Sequence, residues 1–207
     1  MKKFLGILFI VGIILIGSMQ AQAIPIVDTG QPYAMHAWAL RSGQWLASEF
    51  TITQSYTLTD IQGFIYASPN WSSAKTLTLA IYGDGGEVPN VSQQLFSQTF
   101  SIGKGNSYGW YGLSGLSWDL LPGTYWVAFE VRSGQTYSGL MASDAPYPLP
   151  NAAYAPNGSY GVYYTNDSVK LGIGIYDNPT PVPEPSTMLL LGSGLIGLWG
   201  FRKKFKK

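Results

Sequence analysis

Between residues 33 and 176 short segments with apolar side chains at alternate positions follow one another, and no segment keeps a 3.6-residue apolar period over three turns. That restricts the chain to strands, because successive side chains on a strand point to opposite faces and a half-buried strand must alternate. Lys75 to Gly83 is the clearest case. Leu77, Leu79 and Ile81 share one face, and Thr76, Thr78, Ala80 and Tyr82 the other. Gln44 to Thr53 sets Leu46, Ser48, Phe50 and Ile52 against Trp45, Ala47, Glu49 and Thr51. Thr124 to Arg132 places Tyr125, Val127, Phe129 and Val131 inward and Trp126, Glu130 and Arg132 outward. Further strands are expected over 33–40, 95–102, 116–120 and 137–142, and over 56–67, which carries Leu58, Ile61 and Phe64 and is bent at Gly63. Pro122-Gly123 predicts a hairpin joining 116–120 to 124–132. Asn166-Asp167-Ser168 predicts a second, between 159–165 and 169–176. The Gly-rich run 103–115 and the Pro-rich run 143–158 read as loops. The expected fold is all-β, a jelly-roll-like β-sandwich of about nine to eleven strands.

Both ends of the chain differ from this domain. Met1-Lys2-Lys3, the apolar run Phe4 to Gly17 and Ala21-Gln22-Ala23 read as a signal peptide over 1–23, cut after Ala23 by signal peptidase. The surface domain spans 24–178. Residues 179–187 form a stiff linker, with Pro179, Pro181, Pro183 and Pro185 at alternate positions and the motif Val182-Pro183-Glu184-Pro185 inside it. Met188 to Phe201 is apolar and uncharged, and reads as a short transmembrane helix. As a helix it would reach ~21 Å, short of a ~30 Å hydrocarbon core. Arg202 to Lys207 is a basic tail. Lys2 and Lys3 at one end and this tail at the other belong on the cytoplasmic side, which puts the domain between them outside. A polar motif, a short apolar segment and a basic stop, in that order, also follow the logic of a sorting signal that is removed.

These three parts together resemble the PEP-CTERM sorting signal of Gram-negative bacteria. The resemblance implies recognition by an exosortase and delivery to the cell envelope, surface or exopolysaccharide matrix, with membrane anchoring at least transiently through the tail. The same segment is similar to one carried by some ice-binding surface proteins. The stretch Ala80 to Pro89 looks like the strand-and-loop signature of choice-of-anchor surface domains, and no catalytic residues come with that likeness.

Between Ile24 and Pro181 stand five basic residues (Arg41, Lys75, Lys104, Arg132, Lys170) against ten acidic ones, a net of −5. A sparse acidic surface excludes nucleic acid, whose phosphates require a basic face. The chain has no cysteine, so disulfides, thiolate chemistry and Cys-ligated metals are excluded.

Catalysis finds little support in the residues. The single histidine, His36, has no G-x-S-x-G motif to serve. Nothing selects a pair among carboxylates such as Glu49, Asp60, Glu130 and Asp144. No enzyme activity and no obligatory cofactor are expected. Calcium is the one metal with candidate oxygen ligands: Asp84, Glu87 and Asn90 on one loop, Asn166 and Asp167 on another. The same residues are also ordinary turn formers. Carbohydrate binding has a physical basis, because sugar C–H faces stack on aromatic rings while polar groups catch hydroxyls. The candidates are aromatics expected in loops: Trp71, Trp110, Tyr111, Tyr147 and Tyr154. Ice binding would draw on Thr51-Ile52-Thr53, Thr57-Leu58-Thr59 and Thr76-Leu77-Thr78, but no solenoid repeat stacks them. The sequence reads as an exported non-catalytic surface or matrix protein that binds exopolysaccharide through aromatics. The alternatives are a purely structural surface protein and, further off, an ice-binding protein or a polysaccharide hydrolase.

Overall fold

A computed structural model gives the fold and describes residues 24–33, 36–156 and 163–177. The described residues form thirteen strands and no helix, arranged as two antiparallel sheets that do not close into a barrel. The expected all-β sandwich is present, with more strands than the alternation alone separates.

The first sheet runs β1 (Ile24–Asp28), β13 (Ile173–Asp177), β4 (Tyr56–Tyr66), β10 (Gly139–Ala142) and β2 (Ala37–Leu40). Its hub is β4. Two further strands, β7 (Tyr108–Leu113) and β8 (Trp118–Leu120), pair with β4 as well. The second sheet runs β12 (Tyr164–Thr165), β11 (Ala152–Pro156), β3 (Gln44–Ile52), β9 (Gly123–Glu130), β5 (Lys75–Asp84) and β6 (Pro89–Ile102).

The core lies between the sheets and is built from the faces the alternation selects. Leu46, Phe50 and Ile52 on β3, Leu77, Leu79 and Ile81 on β5, and Val127 and Phe129 on β9 meet Leu58, Ile61 and Ile65 on β4 and Ile173 and Ile175 on β13. Gly63 faces this core. A Cβ there would lie 2.7 Å from the Met141 methyl and 2.8 Å from the Phe129 ring, so its missing side chain admits those two. The irregularity in β4 pairing falls opposite Tyr176 and Asp177, near Leu58 and Asp60, instead of at Gly63. Phe64, the next residue, consequently lies on the opposite face of β4.

Both expected hairpins are replaced by crossings between sheets. β8 pairs with β4 in the first sheet, whereas β9 pairs with β3 and β5 in the second, so Pro122-Gly123 turns a corner. The Tyr125 hydroxyl donates to the Leu121 carbonyl at 2.8 Å and ties that corner. Likewise β12 pairs with β11 and β13 with β1 and β4, so the Asn166 turn also changes sheets. The two expected loops each hold a strand: β7 inside 103–115 and β11 inside 143–158.

A second buried layer covers the outer face of the second sheet. Ala153, Ala47, Ala128 and Ala80 stand in register across β11, β3, β9 and β5, all fully buried. Trp45, Tyr82, Trp126 and Tyr163 pack with them. Trp126 and Glu130 point outward from the core as the alternation requires, but not toward solvent.

Candidate functional site

The outer face of the first sheet carries a row of aromatic rings. On β4, Ile61, Gly63 and Ile65 face the core, which turns Gln62, Phe64 and Tyr66 to the outside. β7 alternates in step. Tyr111 and Leu113 pack against the core, and Tyr108 and Trp110 face outward. Pairing sets Trp110 opposite Phe64 and Tyr108 opposite Tyr66. The Phe64 ring lies 5.2 Å from Trp110, tilted by 57°, and 6.0 Å from Tyr108, stacked within 19°. Tyr66 meets Tyr108 edge-on at 5.3 Å. These separations are those of favourable aromatic pairs, so the rings brace one another as a fixed platform. Phe64 is its buried floor, and Tyr66, Tyr108 and Trp110 are half-buried.

The next row is lower. Gly112, Gln62 and Gly174 stand side by side across β7, β4 and β13. Gly112 has no room for a side chain, since a Cβ would sit 1.9 Å from the Ile61 carbonyl oxygen. The Tyr176 ring folds back across Gly174 and brings its hydroxyl toward this row. Burial raises the pKa of the Tyr176 phenol, and the Asp28 and Asp60 carboxylates raise it further. Burial, then Tyr66, does the same to Tyr108. Both hydroxyls are therefore protonated donors at neutral pH. The arrangement offers an apolar ring surface bordered by phenol hydroxyls and the Gln62 amide.

Of the five aromatics singled out from the sequence, Trp110 alone belongs to this platform. Trp71 is half-buried and packs edge-on against Tyr137 at 5.6 Å. Tyr111 points inward, its hydroxyl covering Gly105. Tyr154 lies on β11, inward, 6.1 Å from both Trp38 and Tyr164. Tyr147 is 74% exposed, on the segment between β10 and β11, beside Gly30. Phe64, Tyr66, Gln62 and Tyr176 were not singled out. The signal was present as Gln62-x-Phe64-x-Tyr66 and Tyr108-x-Trp110, two alternating runs that pair.

The carboxylates go elsewhere. Glu130 is fully buried on the outer face of β9. Its Oε1 accepts from the Tyr82 hydroxyl at 2.9 Å and the Tyr163 hydroxyl at 2.8 Å, and its Oε2 from Arg132 Nε at 2.6 Å. Arg132 Nη2 reaches the Tyr82 oxygen at 3.1 Å and Gln94 Oε1 at 2.7 Å. An acid so enclosed by protein donors has no face open to a substrate. The Tyr163 phenol is pushed well above its usual pKa by burial, then by Glu130 and Tyr82. His36 precedes β2 and pairs through Nδ1 with Asp144, which holds a left-handed backbone (φ 69°). Both are exposed, and among the described residues no serine hydroxyl bonds the imidazole. Glu49 accepts from the Asn151 amide.

Of the calcium candidates, Asp84 and Asn166 cap their own turns. Asp84 Oδ1 accepts from Gly86 N–H at 2.8 Å and from Trp126 Nε1 at 3.4 Å. Asn166 Oδ1 accepts from the backbone and hydroxyl of Ser168. Glu87 follows in the same β5–β6 turn, Asn90 is the second residue of β6, and Asp167 is exposed beside Asn166. Among the described residues no three His, Asp or Glu side chains gather to hold a metal.

The chain matches the PEP-CTERM protein-sorting motif over residues 181–204. That span includes Val182-Pro183-Glu184-Pro185, and the match supports an exported protein sorted to the cell envelope and processed by exosortase. No curated protein matches the chain with significant similarity. The sorting motif, the apolar segment 188–201, the basic tail 202–207, and the signal peptide with Ala21 and Ala23 all lie outside the described residues. Among the described residues no helix is long and apolar enough to cross a membrane.

Proposed function

We propose that this sandwich, exported and sorted through its PEP-CTERM motif, is a non-catalytic module that binds exopolysaccharide on the aromatic platform of its first sheet. The observation that carries the reading is the row of half-buried rings Trp110, Tyr108 and Tyr66, braced on buried Phe64 on the outer face of the first sheet. Such rings offer π-faces to sugar C–H groups, and the Tyr176 and Tyr108 hydroxyls with the Gln62 amide suit the sugar hydroxyls. The half-buried rings are already ordered, so binding immobilises little.

The test is titration of the full-length protein against a polysaccharide panel that includes the host's own exopolysaccharide. Saturable binding is expected, and Trp110→Ala should weaken it by about 30-fold or more, the loss typical of a central aromatic anchor. Tyr108→Ala should weaken it less. Binding that survives both changes, with the circular dichroism spectrum intact, removes the platform from the account. A flat response of the unmodified protein leaves a structural surface protein as the reading.

A further inference from the structure

Strand β6 forms the outer edge of the second sheet, paired only with β5. It has 14 residues, against two for the opposite edge strand β12. The end strands of the first sheet are also short, four residues in β2 and five in β1, the latter with Pro25 inside it. An edge strand is a ready template for another strand, and proteins ordinarily blunt long edges with charges, prolines or bulges. β6 carries no Asp, Glu, Lys or Arg, and its one proline is its first residue. Its bulges fall before Phe96. From Phe96 to Ile102 it pairs with Ile81 to Lys75 without interruption. Ser97, Gln98, Thr99 and Ser101 are exposed along that regular stretch.

We propose that β6 is a self-association edge, pairing antiparallel with β6 of a second copy of this chain about a two-fold axis at Gln98. Charge and symmetry favour a second copy as the partner. The domain is acidic elsewhere, whereas an identical strand meets no like charge here. An isologous interface also requires a self-complementary strand. With the axis at Gln98, Phe96 of one copy faces Phe100 of the other on the core side, and Ser97 faces Thr99 on the outer side. Phe96 is already held by Trp118, stacked at 5.1 Å and 8°. Aromatic cross-strand pairs and hydroxyl pairs are the stabilising kinds. Two six-stranded sheets then join into one.

The absence of native cysteine makes the test clean. Single variants Ser97→Cys, Gln98→Cys, Thr99→Cys and Ser101→Cys of the full-length chain are oxidised, with exposed Ser73→Cys as control. Directly opposed Cα atoms lie ~4.5–5.5 Å apart, within disulfide reach. At Ser97 or Thr99 the same-numbered atoms are offset by two residues and lie about 8 Å apart, beyond it. A maximum at Gln98→Cys is expected, at least tenfold above Ser73→Cys. Association through the chain's apolar ends would instead raise all positions alike, and equal or absent cross-linking overturns the proposal. Adding Thr99→Lys to Gln98→Cys places a charge on an exposed edge position and should suppress the disulfide at least tenfold with the circular dichroism unchanged. Undiminished cross-linking in that variant also overturns it.

Discussion

Replacing Glu130 by alanine tests the reading of that carboxylate as a structural group. The substitution removes the acceptor of three bonds, from Tyr82, Tyr163 and Arg132, in a place with no exposed surface. Breaking one partner from a buried ion pair costs ~3–5 kcal/mol, because the remaining group is left desolvated. Here the lower end applies. The Arg132 side chain keeps 19% exposure and still reaches Gln94 at 2.7 Å, so its charge is not stranded. The Tyr163 phenol, in contrast, loses its acceptor inside the protein. A loss of about 3 kcal/mol corresponds to a fall in Tm of roughly 6–12 °C for a domain of this size. Glu130→Gln should cost less, about 1–2 kcal/mol, since its oxygen can face Arg132 Nε while its amide donates to the two phenol oxygens. Glu130→Met combined with Arg132→Met should recover most of the loss, because removing both charges removes the desolvation penalty. Urea unfolding followed by tryptophan fluorescence gives the three values, with Trp45 and Trp126 packed beside the site. A change below about 1 kcal/mol for Glu130→Ala would refute the reasoning and mean that water or another donor set replaces the carboxylate without strain.

Three further outcomes follow from the structure and the sorting motif. Tyr163 and Tyr137 are both held protonated, chiefly by burial, above the ordinary value of 10.0. In the unfolded chain they release their protons near pH 10, so the stability present below that pH is lost as pH rises, by about 1.4 kcal/mol per pH unit for each; alkaline denaturation curves should flatten in Tyr163→Phe, and an unchanged slope would contradict the burial. Gly112→Ala drives a Cβ into the Ile61 carbonyl and should destabilise by about 1–3 kcal/mol while loosening β7 from β4; a wild-type melting curve would show that the approach relaxes freely. Replacing Pro183-Glu184-Pro185 by Ala-Ala-Ala should leave the tail uncleaved in a host with exosortase, and an unchanged intact mass of the mature protein would remove the motif from processing.

The sequence made the strands legible where one face is polar and the other apolar, as in β3, β5 and β9. It did not reveal which sheet a strand joins. Pro122-Gly123 serves a hairpin and a corner equally well, and the deciding contact, Tyr125 to Leu121, is local but conformational. Nor did the glycines of 103–115 disclose a strand. Gly109 lies under the Tyr111 ring and Gly112 against β4, so they mark close approach within a sheet where composition suggests a loop. The platform escaped for a related reason: Trp110 was visible as an aromatic, but the strand that pairs it with Phe64 was read as a loop. The burial of Glu130 depends on Tyr82 and Tyr163, 48 and 33 residues away, and no local pattern reports it.

The place of β13 between β1 and β4 bears on mechanics. β13 is the last described strand before the sorting motif in the chain, so tension from the C-terminal side enters the domain through a strand bonded on both sides. Pulled along its axis, such a strand loads its hydrogen bonds together in shear, whereas an edge strand pulled across its axis would peel one bond at a time. From β13 the pairing leads through β4 and β7 to Trp110. On the proposed reading, drag on a polymer bound at Trp110 would reach the end of β13 within one sheet.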